Sequence, residues 1–415
     1  MAQLNSNSCL LRLFARLLII AMSVGFMSGV GAPSPAFAGV TITPALTVSE
    51  SYTSNAFFAV AGTRSDFSTT VSPELRAEYK GRPLEGDLYG VFSVTSFANN
   101  PSLNYASSSG GLNLSLDQLI GRLDKRARLQ VSENVNYTPD LPAFVIAAGG
   151  FNPFASGIKP QRIRTFSHTA TASGGYALTP RVNLQGFYSY SFINFGSSFG
   201  VPQGVQVTSQ PLFRTTVHSA GGGPSFTVSP TDSLSLNYTY SKAEFNGGAL
   251  PGYETQGGTV GYSHQFSPNL RGSSSAGVSK VSTSKRVSIV GDVSASWQER
   301  NTTTAFTFSR QILPSFAVAA TSLVSNNLSV SVSQQLTELL TAAIAASYAR
   351  SSSSEASTDL LFESYSASLS LSRPITRWLS GSFSYGHSNF TQEFGGVSSS
   401  FHNDQVTVSL RAVWR

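Results

Sequence analysis

Cysteine, methionine and charge are all scarce in this sequence, and each shortage limits what the chain can be. Its 415 residues include one cysteine, three methionines and only 12% charged side chains. The cysteine is Cys9 and the last methionine is Met27, so residues 28–415 contain neither. That part of the chain therefore has no thiol for a disulfide, a thiolate metal site or a nucleophile. Low charge can indicate disorder, but 11% aromatic residues allow the chain to bury surface.

Residues 1–38 have the pattern of a secretory signal peptide. Their only charges, Arg12 and Arg16, precede the apolar run LLIIAMSVGFMSGVGA and the small-residue pattern PAFAG. We predict cleavage after Ala38 and a mature chain of 39–415; an anchor helix is disfavoured because Gly and Ser break the short apolar run. Removing two arginines lowers the net charge from +6 to +4 (6 − 2), too little to predict nucleic-acid binding.

The rest of the chain alternates apolar and polar residues instead of forming long apolar runs. No run of about 18 apolar residues follows the signal, so no membrane helix is predicted. A period of two is typical of a strand with one apolar and one polar face. Every alternating segment has the ~9–11 residues that a tilted strand needs to cross a bilayer. The 18 segments are 40–52, 68–80, 84–97, 106–117, 121–137, 164–178, 182–195, 213–228, 233–245, 253–266, 269–282, 286–298, 301–312, 321–336, 338–350, 360–373, 376–389 and 401–415.

The connections between these segments alternate between short and long. TPR at 179–181 and TR at 376–377 are short, whereas 53–67 and 390–400 are longer. Short turns at one end and longer loops at the other are typical of an outer-membrane barrel. We therefore predict an all-β fold, a transmembrane antiparallel β-barrel of about 18 strands, with 16 strands as the alternative. A water-soluble β protein is disfavoured because its strands usually have only ~5–6 residues.

The alternation also predicts which side chains line the lumen. In 182–195, Leu184 and Tyr188 would face lipid, whereas the polar residues between them would face inward. The pore-lining candidates are Asn183, Gln185, Ser189 and the charged residues Glu74, Arg76, Glu78, Glu85, Asp87, Arg126 and Arg128. Inward charges indicate either a hydrated pore or a ladder of ion pairs that braces the wall, and both readings stay open. Glu133 and His168 fall on the outward face.

Two further sets of residues have predicted positions. The longest loop, 138–163, is apolar in a position that water would surround, so it either narrows the lumen or packs against a partner. Contact with lipopolysaccharide or a strand extension are its alternatives. Its constriction candidates are Phe144, Phe151 and Phe154, and the candidates for the interfacial aromatic belt at the tight-turn end are Trp378 and Trp414.

No motif for catalysis or for a bound metal is present. The five histidines are not arranged as HExxH, and no phosphate-binding P-loop occurs. The one match to GxSxG, GSSFG at 196–200, lies in a predicted loop rather than between a strand and a helix. We predict that the protein is not an enzyme and has no cofactor and no metal; an outer-membrane hydrolase is the disfavoured alternative.

The N-terminal phrases ITPALTVSESYTSNAFF and SDFSTTVSPELRAEYKGRPLEGDLYG resemble the outer-membrane proteins associated with PEP-CTERM/exosortase systems, a β-barrel porin group. The likeness extends over the mature chain to Trp414, although this chain ends on Arg415 where such barrels commonly end on an aromatic residue. The resemblance implies a link to exopolysaccharide production. It also implies polysaccharide and periplasmic export components as partners beside outer-membrane lipids.

The expected function is an outer-membrane channel that serves exopolysaccharide export or its secretion system. A general diffusion porin for small solutes is one alternative, and a structural barrel that conducts little is another. Inward aromatic residues such as Tyr89 and Phe187 would favour a glycan, whereas a bare charged constriction would favour a porin.

Overall fold

The computed structural model describes residues 39–81, 84–139, 162–200, 212–283, 287–316, 321–353 and 360–414. One short helix, α1 (Asp117–Ile120), and two 3-10 turns (Pro101–Leu103 and Asn246–Gly248) accompany the strands. In these ranges, no helix is both long enough and apolar enough to cross a membrane. The strands are β1 (Val40–Thr53), β2 (Asp66–Lys80), β3 (Glu85–Phe97), β4 (Tyr105–Ser115), β5 (Ala127–Thr138), β6 (Ile163–Thr179), β7 (Val182–Ser198), β8 (Thr215–Thr227), β9 (Asp232–Phe245), β10 (Leu250–Ser267), β11 (Leu270–Val281), β12 (Val287–Glu299), β13 (Thr302–Pro314), β14 (Ser322–Gln335), β15 (Thr341–Ser353), β16 (Leu360–Pro374), β17 (Leu379–Phe394) and β18 (Val397–Val413).

The strands close into a single antiparallel barrel. Each strand pairs with its neighbours in sequence, and β1 also pairs with β18, from Ala45 opposite Val413 to Thr53 opposite Gln405. Closure leaves no sheet edge with unpaired backbone groups, which is what a lipid environment requires. The predicted fold class is confirmed, and 18 strands rather than 16 form the wall. At a strand spacing of ~4.8 Å and a tilt of ~40°, the backbone diameter is on the order of 35 Å.

All 18 predicted segments correspond to strands, but two connections differ from the prediction. β5 begins at Ala127 rather than at 121, because α1 and a turn occupy the preceding residues; the Leu129 amide donates to Asp117 Oδ1 at 2.9 Å. The predicted loop 390–400 is instead strand, closed by Gly395 and Gly396 with φ of 57° and 79°. Two successive positive φ angles suit a type I′ hairpin turn, which glycine adopts without strain.

The outer surface has an apolar band. Register partners on neighbouring strands point to the same side, so exposed Phe306 and Phe308 of β13 lie beside exposed Leu328 and Val330 of β14. Along the described strands, outward ionisable side chains keep to the two edges of this band. On β13, eight residues separate Thr302 from the outward Arg310, which is about 20 Å at ~2.5 Å of height per tilted residue. That height is close to the ~25 Å band of outer-membrane barrels.

Candidate functional site: the barrel lumen

The lumen face is lined mainly by small polar residues. Because register partners share a face, hydroxyl groups from adjacent strands lie side by side in pairs on the lumen face. Examples are Ser72–Ser93 at 2.7 Å, Ser233–Ser263 at 2.7 Å, Ser273–Ser294 at 2.7 Å, Ser347–Ser366 at 2.8 Å and Ser382–Ser409 at 2.6 Å. Each hydroxyl retains acceptor capacity after pairing, so the wall can be wetted. Cross-strand pairs of this kind also stabilise the sheet.

The structure places Asn183, Gln185 and Ser189 on the lumen face of β7. The Ser189 hydroxyl lies 3.2 Å from that of Thr171 on β6. On the opposite face, Tyr188 is 48% exposed. The two faces of β7 therefore differ in polarity as the alternation predicted.

A cluster of charges lies on the lumen face of β2 and β3 near the tight-turn end. Arg76 Nε lies 2.7 Å from Asp87 Oδ1 and 3.3 Å from Glu78 Oε1, and Lys80 Nζ lies 3.4 Å from Glu78 Oε2. The Arg76 side chain is 49% exposed, so each pair contributes little to stability. These four charges neutralise one another, which favours a ladder of ion pairs over uncompensated pore charges in this part of the wall.

The other predicted acids of β2 and β3 also have partners. Glu74 Oε2 lies 2.8 Å from Arg411 Nη2, which joins β2 to the lumen face of β18 across β1. Glu85 accepts a hydrogen bond from Gln118 Nε2 of α1 at 3.0 Å. The ladder thus extends from β18 to the turn between β4 and β5.

Arg126 and Arg128 lie in different surroundings. Arg126 is in the turn before β5, where its Nη2 lies 2.9 Å from Asp124 Oδ2 and its guanidinium lies 4.9 Å from the ring centroid of Tyr176. Hydrogen bonds from the Arg126 side chain, the Arg126 amide and the Tyr176 hydroxyl hold the pKa of Asp124 well below its usual range. Arg128 lies within β5 on the lumen face, opposite Gly175, and is exposed.

A segment that the sequence predicts only as a loop packs against the inside of the wall at the external end of the lumen. This mouth segment, residues 54–65, joins β1 to β2 and has five consecutive buried residues from Asn55 to Ala59. Phe57 packs beside Phe97 of β3. Phe58 belongs to a buried cluster with Leu323, Leu360, Phe362, Phe390 and Phe401. Because these residues come from β14, β16, β17 and β18, the mouth segment reaches across a wide sector of the wall.

Local hydrogen bonds fold the mouth segment into a tight turn. Asn55 Nδ2 donates to the Ala59 carbonyl at 2.9 Å, and Asn55 Oδ1 accepts from the Ala59 amide at 2.8 Å. Asn403 Oδ1 of β18 accepts from the Thr53 hydroxyl at 2.7 Å. Phe58 has φ of 53°, a left-handed conformation that is uncommon for a residue with a side chain. The surrounding contacts hold this strained residue in place.

Arg162 anchors the mouth segment from the side of β6. Its Nε and Nη2 donate to the Ala56 carbonyl at 2.9 and 2.7 Å. Its guanidinium lies 4.8 Å from the ring centroid of Phe58 and 5.3 Å from that of Phe97. Arg162 is only 5% exposed, and cation–π contacts are strongest where water is excluded.

The predicted constriction loop lies mostly outside the described residues, and with it Phe144, Phe151 and Phe154. The sequence nevertheless contained a signal for the mouth segment, since AFFAV at 56–60 is an apolar run inside a predicted loop. The same argument that singled out 138–163 applies to it.

The tryptophans that the structure describes lie at the tight-turn end. Trp378 is 49% exposed in the β16–β17 turn, and Trp414 is 46% exposed just after β18. Trp297, which the sequence analysis passed over, is outward and 39% exposed near the end of β12. Amphipathic rings at this height suit a membrane interface.

No family model and no curated protein matches the chain. A mutant of the ferric enterobactin receptor PfeA from Pseudomonas aeruginosa is similar over 90% of this chain and 80% of its own, with 8% identity and a TM-score of 0.46. The outer membrane protein OpdK from Pseudomonas aeruginosa is similar over 90% and 99%, with 10% identity and a TM-score of 0.45. OccAB3 from Acinetobacter baumannii is similar over the same shares, with 10% identity and a TM-score of 0.44.

At these identities no ligand or partner transfers to this chain, and the resemblance to PEP-CTERM-associated proteins stays a prediction. The chain's own geometry defines its class: a closed antiparallel β-barrel with an apolar outer band and a polar lumen. In the part of the chain that the structure describes, no three His, Cys, Asp or Glu residues form a group that could hold a metal ion.

Proposed function

We propose that this protein is a channel of the bacterial outer membrane through which small hydrophilic solutes diffuse. The observation that carries the proposal is the contrast between the two faces of one wall. A charge-free apolar band outside suits acyl chains, and a hydroxyl-lined surface inside suits water. A cleaved signal at 1–38 would bring the chain across the inner membrane, and outer-membrane lipids would be its surroundings.

The charge balance of the lumen favours a general diffusion porin over a selective one. In the described strands, five acids and five bases face the lumen below the mouth, so their formal charges cancel. They are Glu74, Glu78, Glu85, Asp87, Asp292, Arg76, Lys80, Arg128, Arg271 and Arg411. A wall without net charge concentrates neither anions nor cations, so weak ion selectivity is expected.

Export of exopolysaccharide is the second candidate, and two inward aromatic residues favour it. Tyr89 lies opposite Gly111 and Phe187 lies opposite Gly221, each on the neighbouring strand. A side chain at either glycine would collide with the aromatic ring, so both rings lie along the wall with one face open to the lumen. Flat aromatic faces of this kind suit sugar rings. In this reading, polysaccharide and periplasmic export components are the partners.

Planar-bilayer recording tests the channel proposal. We expect single-channel conductance that rises in proportion to salt concentration, with little preference between K⁺ and Cl⁻. Block of that current by soluble oligosaccharides, lost in Tyr89→Ala/Phe187→Ala, would favour the glycan candidate. A correctly folded barrel that conducts no ions even when the mouth segment is opened would contradict both the porin and the export channel. It would favour a structural barrel that conducts little.

A further inference from the structure

Three cations on the outer surface of β11, β13 and β15 have no carboxylate partner in the described residues. They are Lys280, Arg310 and Arg350, and together they form what we call the basic sector. Elsewhere on the same edge of the apolar band, Lys242 is paired with Glu244 at 2.8 Å. Two histidines also lie beside acids there, His168 at 3.1 Å from Glu133 and His387 at 2.8 Å from Asp404. The contrast marks the basic sector as a place where an external anion could supply the missing charge.

The two arginines of the basic sector stand in one row. Arg310 is the register partner of Asn326, and Asn326 is the register partner of Arg350. Two strand spacings place their Cα atoms about 10 Å apart, within reach of a shared ligand. Arg310 Nε donates to the Ile289 carbonyl at 3.0 Å, and its Nη1 donates to Asn326 Oδ1 at 2.8 Å. These bonds hold the guanidinium in a defined orientation before any ligand arrives.

The charge of this sector remains positive when its acid neighbours are included. Glu363 of β16 is the register partner of Arg350, and its Oε1 accepts a hydrogen bond from the Tyr348 hydroxyl at 2.6 Å. Glu254 of β10 lies on the same face, two residues from the register partner of Lys280. Three cations and two carboxylates leave a formal charge of +1 on the external edge of β10–β16 (3 − 2).

The height of the basic sector coincides with the top of the apolar band. Its members lie eight residues from Thr302 on β13, nine from Thr341 on β15 and ten from Leu270 on β11. At ~2.5 Å of height per residue these positions are about 20–25 Å above the tight turns, where the headgroups of the outer leaflet begin.

We propose that the basic sector binds the phosphate-bearing headgroup of an outer-leaflet glycolipid. Guanidinium groups recognise phosphate through two parallel hydrogen bonds, and here two arginines flank Asn326 in one row. Directly below, the exposed side chains of Phe306, Phe308 and Leu328 offer an apolar surface for the acyl chains. A phosphorylated glycolipid therefore matches the surface both in charge and in the order of its polar and apolar parts. The inference rests on the proposed outer-membrane orientation.

The test compares two glucosamine-disaccharide lipids that differ only in two phosphate groups. Native mass spectrometry of the full-length barrel in detergent counts bound lipid for the wild type, for Arg310→Gln/Arg350→Gln and for Arg373→Gln. Arg373 is the matched control because it is an outward arginine on β16 at the opposite edge of the band. A heat-dependent shift in gel mobility verifies that each variant is folded.

We expect the wild type and Arg373→Gln to bind the phosphorylated lipid about tenfold more tightly than the dephosphorylated one, and the double variant to lose that preference. Equal binding of both lipids by the wild type, or an unchanged preference in the folded double variant, would overturn the proposal. Full displacement by millimolar inorganic phosphate would do so as well, because it would show a simple anion site. Conductance is recorded in parallel, so a barrel that conducts but shows no lipid preference rejects this inference alone.

Discussion

At the scale of single residues, neighbours along one strand face environments as different as water and hydrocarbon. Ala345 and Ala346 of β15 show this with identical side chains. Ala345 is paired with Ser331 and Ser368 on the lumen face, whereas Ala346 is exposed on the outward face near the middle of the apolar band.

This pair allows a matched comparison of the two faces. Ala346→Arg should destabilise the barrel by about 2–4 kcal/mol, because the guanidinium would lie at the height of the acyl chains. Ala345→Arg should cost far less, since a hydrated lumen can solvate the charge. Denaturant unfolding in lipid vesicles measures both; similar losses for the two variants would mean that the faces are assigned wrongly.

Arg126 and Arg128 distinguish the two explanations of the inward charges, a hydrated pore and a ladder of ion pairs that braces the wall. The sequence placed both on one strand, but Arg126 lies in a turn and pairs with Asp124, and only Arg128 lies within the lumen wall. Local turn formation decided this difference, and the residue alternation carries no information about it.

Arg128→Gln should therefore shift ion selectivity towards cations, more strongly at 0.1 M salt, where screening reaches ~10 Å, than at 1 M, where it reaches ~3 Å. Arg126→Gln should leave selectivity unchanged, because Asp124 already neutralises that arginine. Reversal potentials under a KCl gradient report both effects. A shift of the same size in the two variants would show that the turn also faces the conducting path.

At the scale of elements, the mouth segment is the part of the lumen that departs most from its lining of small polar residues. It puts Phe57 and Phe58 into the external end of an otherwise wettable barrel. A hydrophobic constriction resists water and ions even when it is not closed by contact. The mouth segment is therefore expected to limit conductance.

Phe57→Ala/Phe58→Ala should raise single-channel conductance by at least about twofold, because the apolar layer at the mouth would be thinned. Thr63→Ala is the control, since Thr63 is exposed in the same segment. Recording in planar bilayers distinguishes the three proteins. If the double alanine variant conducts no more than the control, the narrowest point of the channel lies elsewhere, and the predicted loop 138–163 becomes its next candidate.

The strands could be predicted from the sequence, but the packing of the mouth segment could not. The strands were predictable because lipid on one side and water on the other impose a period of two on every one of them. The position of Phe58 was not, because its contacts with Leu323 and Phe401 join residues far apart in the chain. Only the closed barrel brings β14 and β18 to the same end of the lumen as the β1–β2 connection.

At the scale of the whole molecule, the account depends on one claim: the barrel spans a membrane and holds water inside. The segment 342–347 of β15 tests it directly. Single cysteines are placed at each position in a chain with Cys9→Ser, and the protein is treated in membranes with a charged, impermeant thiol reagent. We predict that positions 343, 345 and 347 react, whereas 342, 344 and 346 react only with a lipid-soluble maleimide. Reaction of all six with the charged reagent would contradict a membrane-spanning wall, and failure of all six would contradict a water-filled lumen.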